Sequence, residues 1–132
     1  MHTHLVTPWR FVLTAALLAG AAMAAPIAVQ ACPIEPYDPD RVVAAIAQTA
    51  SCKAAYDLMN ECRRNNSGDV ELAQTVIAKC EKSFVTRGAS PRMKAYAEDK
   101  AACVRKYAGK QGTMYTSFRA TCEAGVAAKY AQ

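Results

Sequence analysis

The residues most able to do chemistry in this 132-residue chain are its six cysteines: Cys32, Cys52, Cys62, Cys80, Cys103 and Cys122. A thiol becomes a nucleophile or redox centre when a neighbour lowers its pKa, and the usual redox pairing is Cys-x-x-Cys. No two of these cysteines are so spaced. Zinc needs clustered cysteine or histidine ligands. The only histidines, His2 and His4, stand at the N-terminus. An even number of scattered cysteines reads instead as a disulfide framework, which requires an oxidising compartment.

The N-terminus agrees with such a compartment. Arg10 precedes an apolar run over residues 11–19, and small residues follow to Ala25. A basic flank, a short apolar run and an Ala-x-Ala site make a secretory signal peptide. Ala22, Met23 and Ala24 offer that site, so residues 1–24 are assigned to the leader. The run is too short for a stable membrane span, which needs about 20 apolar residues. A lesser alternative is lipidation at Cys32 after Val29, Gln30 and Ala31, leaving five cysteines to pair. Cleavage after Ala24 leaves ~108 residues with no histidine and no tryptophan. The chain is then expected in the periplasm or secreted.

Other catalytic arrangements are missing as well. A serine or cysteine nucleophile needs a base, and histidine is absent from the expected mature chain. Ser90 stands four residues before Lys94, one too many for Ser-x-x-Lys. Asp57 with Glu61, and Glu98 with Asp99, read as solvated helix faces. Gly109 and Gly112 lack the rest of a phosphate-binding loop. No enzyme activity and no cofactor are expected. The formal net charge is +5. Arg105, Lys106, Lys110 and Arg119 cluster around Tyr107, Tyr115 and Phe118 and form a candidate binding surface for an anionic protein or envelope polymer. The competing reading is a solvated face with its aromatics in the core. Nucleic acid is not expected, because the charge is modest and the chain is exported.

The elements that must position these residues are helices. Residues 25–39 form a proline-rich extended tail, and residues 40–132 form a helical domain dominated by Ala, Lys, Arg, Glu and Gln. Residues 69–87 carry Ala73, Val76, Ile77, Cys80 and Phe84 on one face, with Gly88 able to end the helix. Ser90 and Pro91 read as the cap and first position of the next helix, which carries Met93, Tyr96, Ala97, Val104 and Tyr107 and ends near Gly109. A last helix from about Thr113 places Tyr115, Phe118, Cys122 and Val126 on one face. Residues 40–64 carry two opposed stripes: Val43, Ile46 and Ala50, then Cys52, Ala55, Met59 and Cys62. Either the helix breaks near Ser51 or one long helix is buried on two sides. The fold expected is all-α, a small disulfide-stapled antiparallel bundle of four to five helices.

Six cysteines allow fifteen connectivities. In an antiparallel helix pair, residues equidistant from the turn lie at one level. Cys52 and Cys80 are symmetric about Asn66, and Cys103 and Cys122 about the junction of Gly112 and Thr113. Cys32 and Cys62 are symmetric about Ala47, near the suspected break. That third bridge needs the break, because an unbroken helix would put Cys62 about 33 Å from Asp40, beyond the tail's reach.

The layout resembles the LprI-type lysozyme-inhibitor family of small exported bacterial proteins. The similar pieces are Ser117, Phe118, Arg119, Ala120, Thr121 and Cys122, with the earlier Tyr56, Asp57, Leu58, Met59 and Asn60. The Arg-to-Cys spacing is one residue short, and the family's tryptophan in that segment is replaced. The resemblance implies binding and inhibition of a muramidase, and it assigns no inhibitory residue. The function expected is an exported helical binding protein. Alternatives are a structural or stress-related envelope protein, or a membrane-active basic helical protein.

Overall fold

The computed structural model describes residues 31–85 and 90–132. The leader and its cleavage site lie outside the described residues, as do Arg87 and Gly88. Five helices follow one another: α1 (Pro39–Gln48), α2 (Cys52–Cys62), α3 (Asp69–Glu81), α4 (Pro91–Lys106) and α5 (Thr113–Tyr130). There is no strand among the described residues, and the fold is a small all-α bundle.

Local chemistry explains most of the boundaries. The Asp38 side chain accepts from Arg41 N at 3.1 Å, and Pro39 occupies the first turn, so α1 starts there. The 40–64 region is broken at residues 49–51. Thr49 is extended, and Ser51 caps α2 by accepting from Ala54 N at 3.1 Å. The buried stripe of α1 is Val42 and Ile46, with Val43 only half-buried at its edge. Ala50 lies in the break and is exposed, so it belongs to neither stripe. Ser90 caps α4 through Met93 N at 3.2 Å. Gly112, at φ 106°, precedes α5 in a backbone region that disfavours other residues.

Helix α3 ends at Glu81, earlier than its spacing suggests. The Ser83 hydroxyl donates to Cys80 O at 2.8 Å, and the next amides tighten into short-range turns. That turn swings Phe84 onto Tyr96, their rings edge-on with centroids 4.9 Å apart. Tyr96 also packs near Tyr130, at 5.3 Å. An aromatic cluster therefore closes the end of the bundle where α3, α4 and α5 meet.

The core sits around α3, which packs against α1, α2 and α5. Leu72, Ala73, Val76 and Cys80 face Val42 and Ile46 from α1, and Ala55 and Met59 from α2. The inward face of α5 is Ser117, Thr121, Ala124, Ala127 and Ala128, rather than the Tyr115, Phe118 and Cys122 stripe. Small residues let two helix backbones approach, and the larger side chains rotate to the flank. In α4, Val104 is exposed and Cys103 is buried, for a similar reason: that face closes on α5.

Three disulfides tie the helices. Cys52–Cys80 joins α2 to α3 with Cα atoms 4.9 Å apart, and Cys103–Cys122 joins α4 to α5 at 5.8 Å. Cys32–Cys62 pins the tail to the end of α2 at 4.5 Å. The break at residues 49–51 is what brings Cys62 back within reach of the tail. No helix among the described residues is long and apolar enough to cross a membrane.

Candidate functional site

The residues that could do chemistry by sequence are spent on structure. All six cysteines are disulfide-bonded. Among the described residues, no group of three or more potential metal ligands comes together.

The basic residues divide into two kinds. Arg105 is paired with Glu98 at 2.7 Å, and Arg119 lies 3.7 Å from Glu123. Lys110 lies 5.9 Å from the Tyr115 ring centroid, in the α4–α5 turn. Lys106 has no acid partner among the described residues and sits 5.4 Å from the Tyr107 ring centroid. Of these four residues, Lys106 lines the concavity between α2, α4 and α5, and Arg105, Lys110 and Arg119 lie outside its lining.

That concavity is a shallow pocket of about 290 Å³ between α2, the end of α4 and α5. Its walls include Tyr56, Asn60 and Arg63 on one side and Lys106, Tyr107 and Phe118 on the other. Tyr56, Asn60 and Arg63 recur at four and three residues, so they share a face of α2. Their counterpart is the aromatic flank that α5 turns outward because its inner face is small. Tyr107 and Phe118 are half-buried, with centroids 6.2 Å apart, and neither belongs to the buried core. Tyr115 meets Phe118 edge-on at the same separation. Thr121 and Cys122 complete the lining, so the Cys103–Cys122 bridge anchors the wall.

The pocket is electrostatically one-sided. Its lining holds two cations, Arg63 and Lys106, and no carboxylate. Arg63 makes no ion pair or side-chain hydrogen bond among the described residues, in contrast to Arg105 and Arg119. The Asn60 amide donates to Tyr56 O at 3.0 Å, which leaves its Oδ1 without a donor among the described residues. The Tyr56 hydroxyl lies against Gly125 of α5: a methyl group there would come within 2.9 Å of it. Glycine in a helix costs about 1 kcal/mol relative to alanine, and the approach of Tyr56 gives this one its reason.

No protein-family model, curated protein or solved structure matches this chain.

A second groove, of about 770 Å³, runs beside the α1–α2 break and α3. It mixes Glu71 with Lys79 and Lys82 among small residues and contains no aromatic ring. Lys79 is already occupied, donating to Ala47 O at 3.1 Å. The groove lacks the single-sign charge of the α2–α5 pocket.

Arg63 was not distinguishable by sequence from its neighbour Arg64. The structure separates them, since Arg64 lies 4.2 Å from the Tyr37 ring centroid on the docked tail. The helical spacing of Tyr56, Asn60 and Arg63 was the available signal, but it does not say which element faces that side.

Proposed function

We propose that this chain is an exported, non-catalytic binding protein that recognises an anionic envelope partner through the α2–α5 pocket. The observation that carries the reading is the pairing of two cations, neither with an ion partner among the described residues, with half-buried aromatic rings in one concave, disulfide-braced place. Charge of one sign in a cleft raises the local concentration of an oppositely charged ligand. Aromatic side chains add contact area at low cost in conformational freedom. Export to the periplasm or cell exterior rests on the leader at residues 1–24 and is supported by the three disulfides, which persist in oxidising compartments.

Titration of the oxidised protein against anionic envelope polymers and against acidic proteins tests the reading. Saturable binding that weakens with salt is expected, and no binding to any member of the panel would remove it. A muramidase assay in the same series tests the inhibitory role that the family resemblance implies.

A further inference from the structure

Building on that reading, we infer that the α2–α5 pocket is a subsite for one acidic sugar residue, a pyranose ring bearing a carboxylate or phosphate. Three properties of the pocket converge on this class. Its size of about 290 Å³ falls just below the usual range of drug-sized ligand sites, which suits one ring rather than an extended protein surface. Its charge is supplied by Arg63 and Lys106, with no acid in the lining to neutralise them. The planar guanidinium can grip an oxyanion through two parallel hydrogen bonds, and the ammonium adds a point charge.

The remaining groups fit the body of such a ligand. Tyr107 and Phe118, half-buried in the lining, supply apolar aromatic surface against which the C–H face of a pyranose can pack. Asn60 Oδ1 is an unengaged acceptor for a sugar hydroxyl, and the Tyr56 hydroxyl has no hydrogen-bond partner among the described residues. A bare inorganic anion would leave the rings and these hydroxyl-matching groups unused. An acidic aromatic compound would leave Asn60 unused.

The test is an amide-resolved NMR titration of the oxidised full chain. The probes are oligogalacturonate, its methyl ester, and glucose 6-phosphate. Oligogalacturonate is expected to shift amides at Tyr56, Asn60, Arg63, Lys106 and Phe118, with an affinity of about 1 mM per ring. The methyl ester keeps the ring and removes the charge, and it should bind at least about tenfold more weakly. A response to glucose 6-phosphate as well assigns the preference to the anion in general, and a response to the uronate alone assigns it to the carboxylate. Arg63→Gln with Lys106→Gln should weaken uronate binding at least about tenfold, and Asn60→Asp, which places an acid in the pocket, should weaken it too. Lys94→Gln removes one charge about 18 Å along α4 from Lys106 and should change nothing. Equal binding of the ester, shifts confined to another face, or no response to either acid would overturn the acidic-sugar subsite. Retained binding to a polymer or protein partner in that event would leave the broader binding reading standing.

Discussion

The hydroxyl of Ser117, in the second turn of α5, donates to the Asp69 carboxylate at the start of α3 across 2.5 Å, and both residues are fully buried. The same carboxylate accepts Arg64 N at 2.8 Å and Asn66 N at 3.2 Å. Asp69 thereby closes the α2–α3 loop and fixes α5 against it in one place. A carboxylate in the first turn of a helix is also favoured by the helix dipole. Replacing Asp69 by alanine strands two backbone amides and a hydroxyl and is expected to cost about 3 kcal/mol. Ser117→Ala, which removes one donor, should cost about 1 kcal/mol. Urea unfolding curves of the two variants check the order. A Ser117 effect as large as that of Asp69 would contradict the assigned roles.

Removing the Cys103–Cys122 bridge should loosen α4 selectively. That helix packs along α5, and its other end is held by Tyr96, whose hydroxyl donates to Glu81 at 2.6 Å. The bridge closes a segment with a sequence separation of 19, worth about 3 kcal/mol in the loop-entropy account. The double variant Cys103→Ser with Cys122→Ser should lose hydrogen-exchange protection in the C-terminal half of α4 first, while α3 keeps its protection. Uniform loss across the chain would argue that the bundle is a single cooperative unit.

Gly125→Ala separates stability from the shape of the pocket. The new methyl would meet the Tyr56 hydroxyl, so the phenol ring must shift at the pocket wall. Alanine favours the helix by about 1 kcal/mol, which offsets the cost of displacing a half-buried side chain. The expected outcome is a melting temperature within a few degrees of the parent, with NMR shifts concentrated at Tyr56, Asn60 and Arg63. A large destabilisation would show that Tyr56 is held more rigidly than its position suggests.

The α4–α5 end should respond to pH at both extremes. Hydrogen bonds from Lys129 first and Tyr130 second hold the Asp99 carboxyl below its ordinary value of 3.8. Its stabilisation is therefore present above about pH 4 and is lost as pH falls through the lowered folded value. Burial first, and then the hydrogen bond to Glu81, raises the Tyr96 phenol above its ordinary value of 10.0. Burial and Asp99 raise Tyr130 in the same direction. Lys129 is also raised, by its bond to Asp99. For these three groups, the contribution is complete below their unfolded values and fades as pH rises through the folded ones. Thermal melts should be flat between about pH 5 and pH 9 and fall on both sides. Asp99→Asn should flatten the acid limb, and an unchanged limb would place acid sensitivity elsewhere.

The sequence made the bundle legible because turn chemistry and cysteine spacing agree. Gly112, the Asn66 loop and the Ser51 cap each sit between partners of one bridge. Helix faces were harder to read. In α5, an aromatic stripe and a small-residue stripe both recur at helical spacing, and the small one turned inward because α3 approaches closely there. That choice depends on a partner helix 48 residues away, as the Ser117–Asp69 contact shows. The pocket was half legible for the same reason. Lys106, Tyr107 and Phe118 were visible as a basic aromatic segment, while Arg63 and Asn60 reach it only through the packing of α2 against α5.

Recognition of an anionic partner is proposed to rest on Arg63 and Lys106 in the α2–α5 pocket. Calorimetric titration of the oxidised chain with polygalacturonate, at low and at physiological salt, tests it most directly. The parent protein should bind more weakly as salt rises, and Arg63→Gln with Lys106→Gln should bind at least about tenfold more weakly than the parent at either salt. Indistinguishable affinities for the parent and the double variant, or no binding by the folded parent, would contradict it.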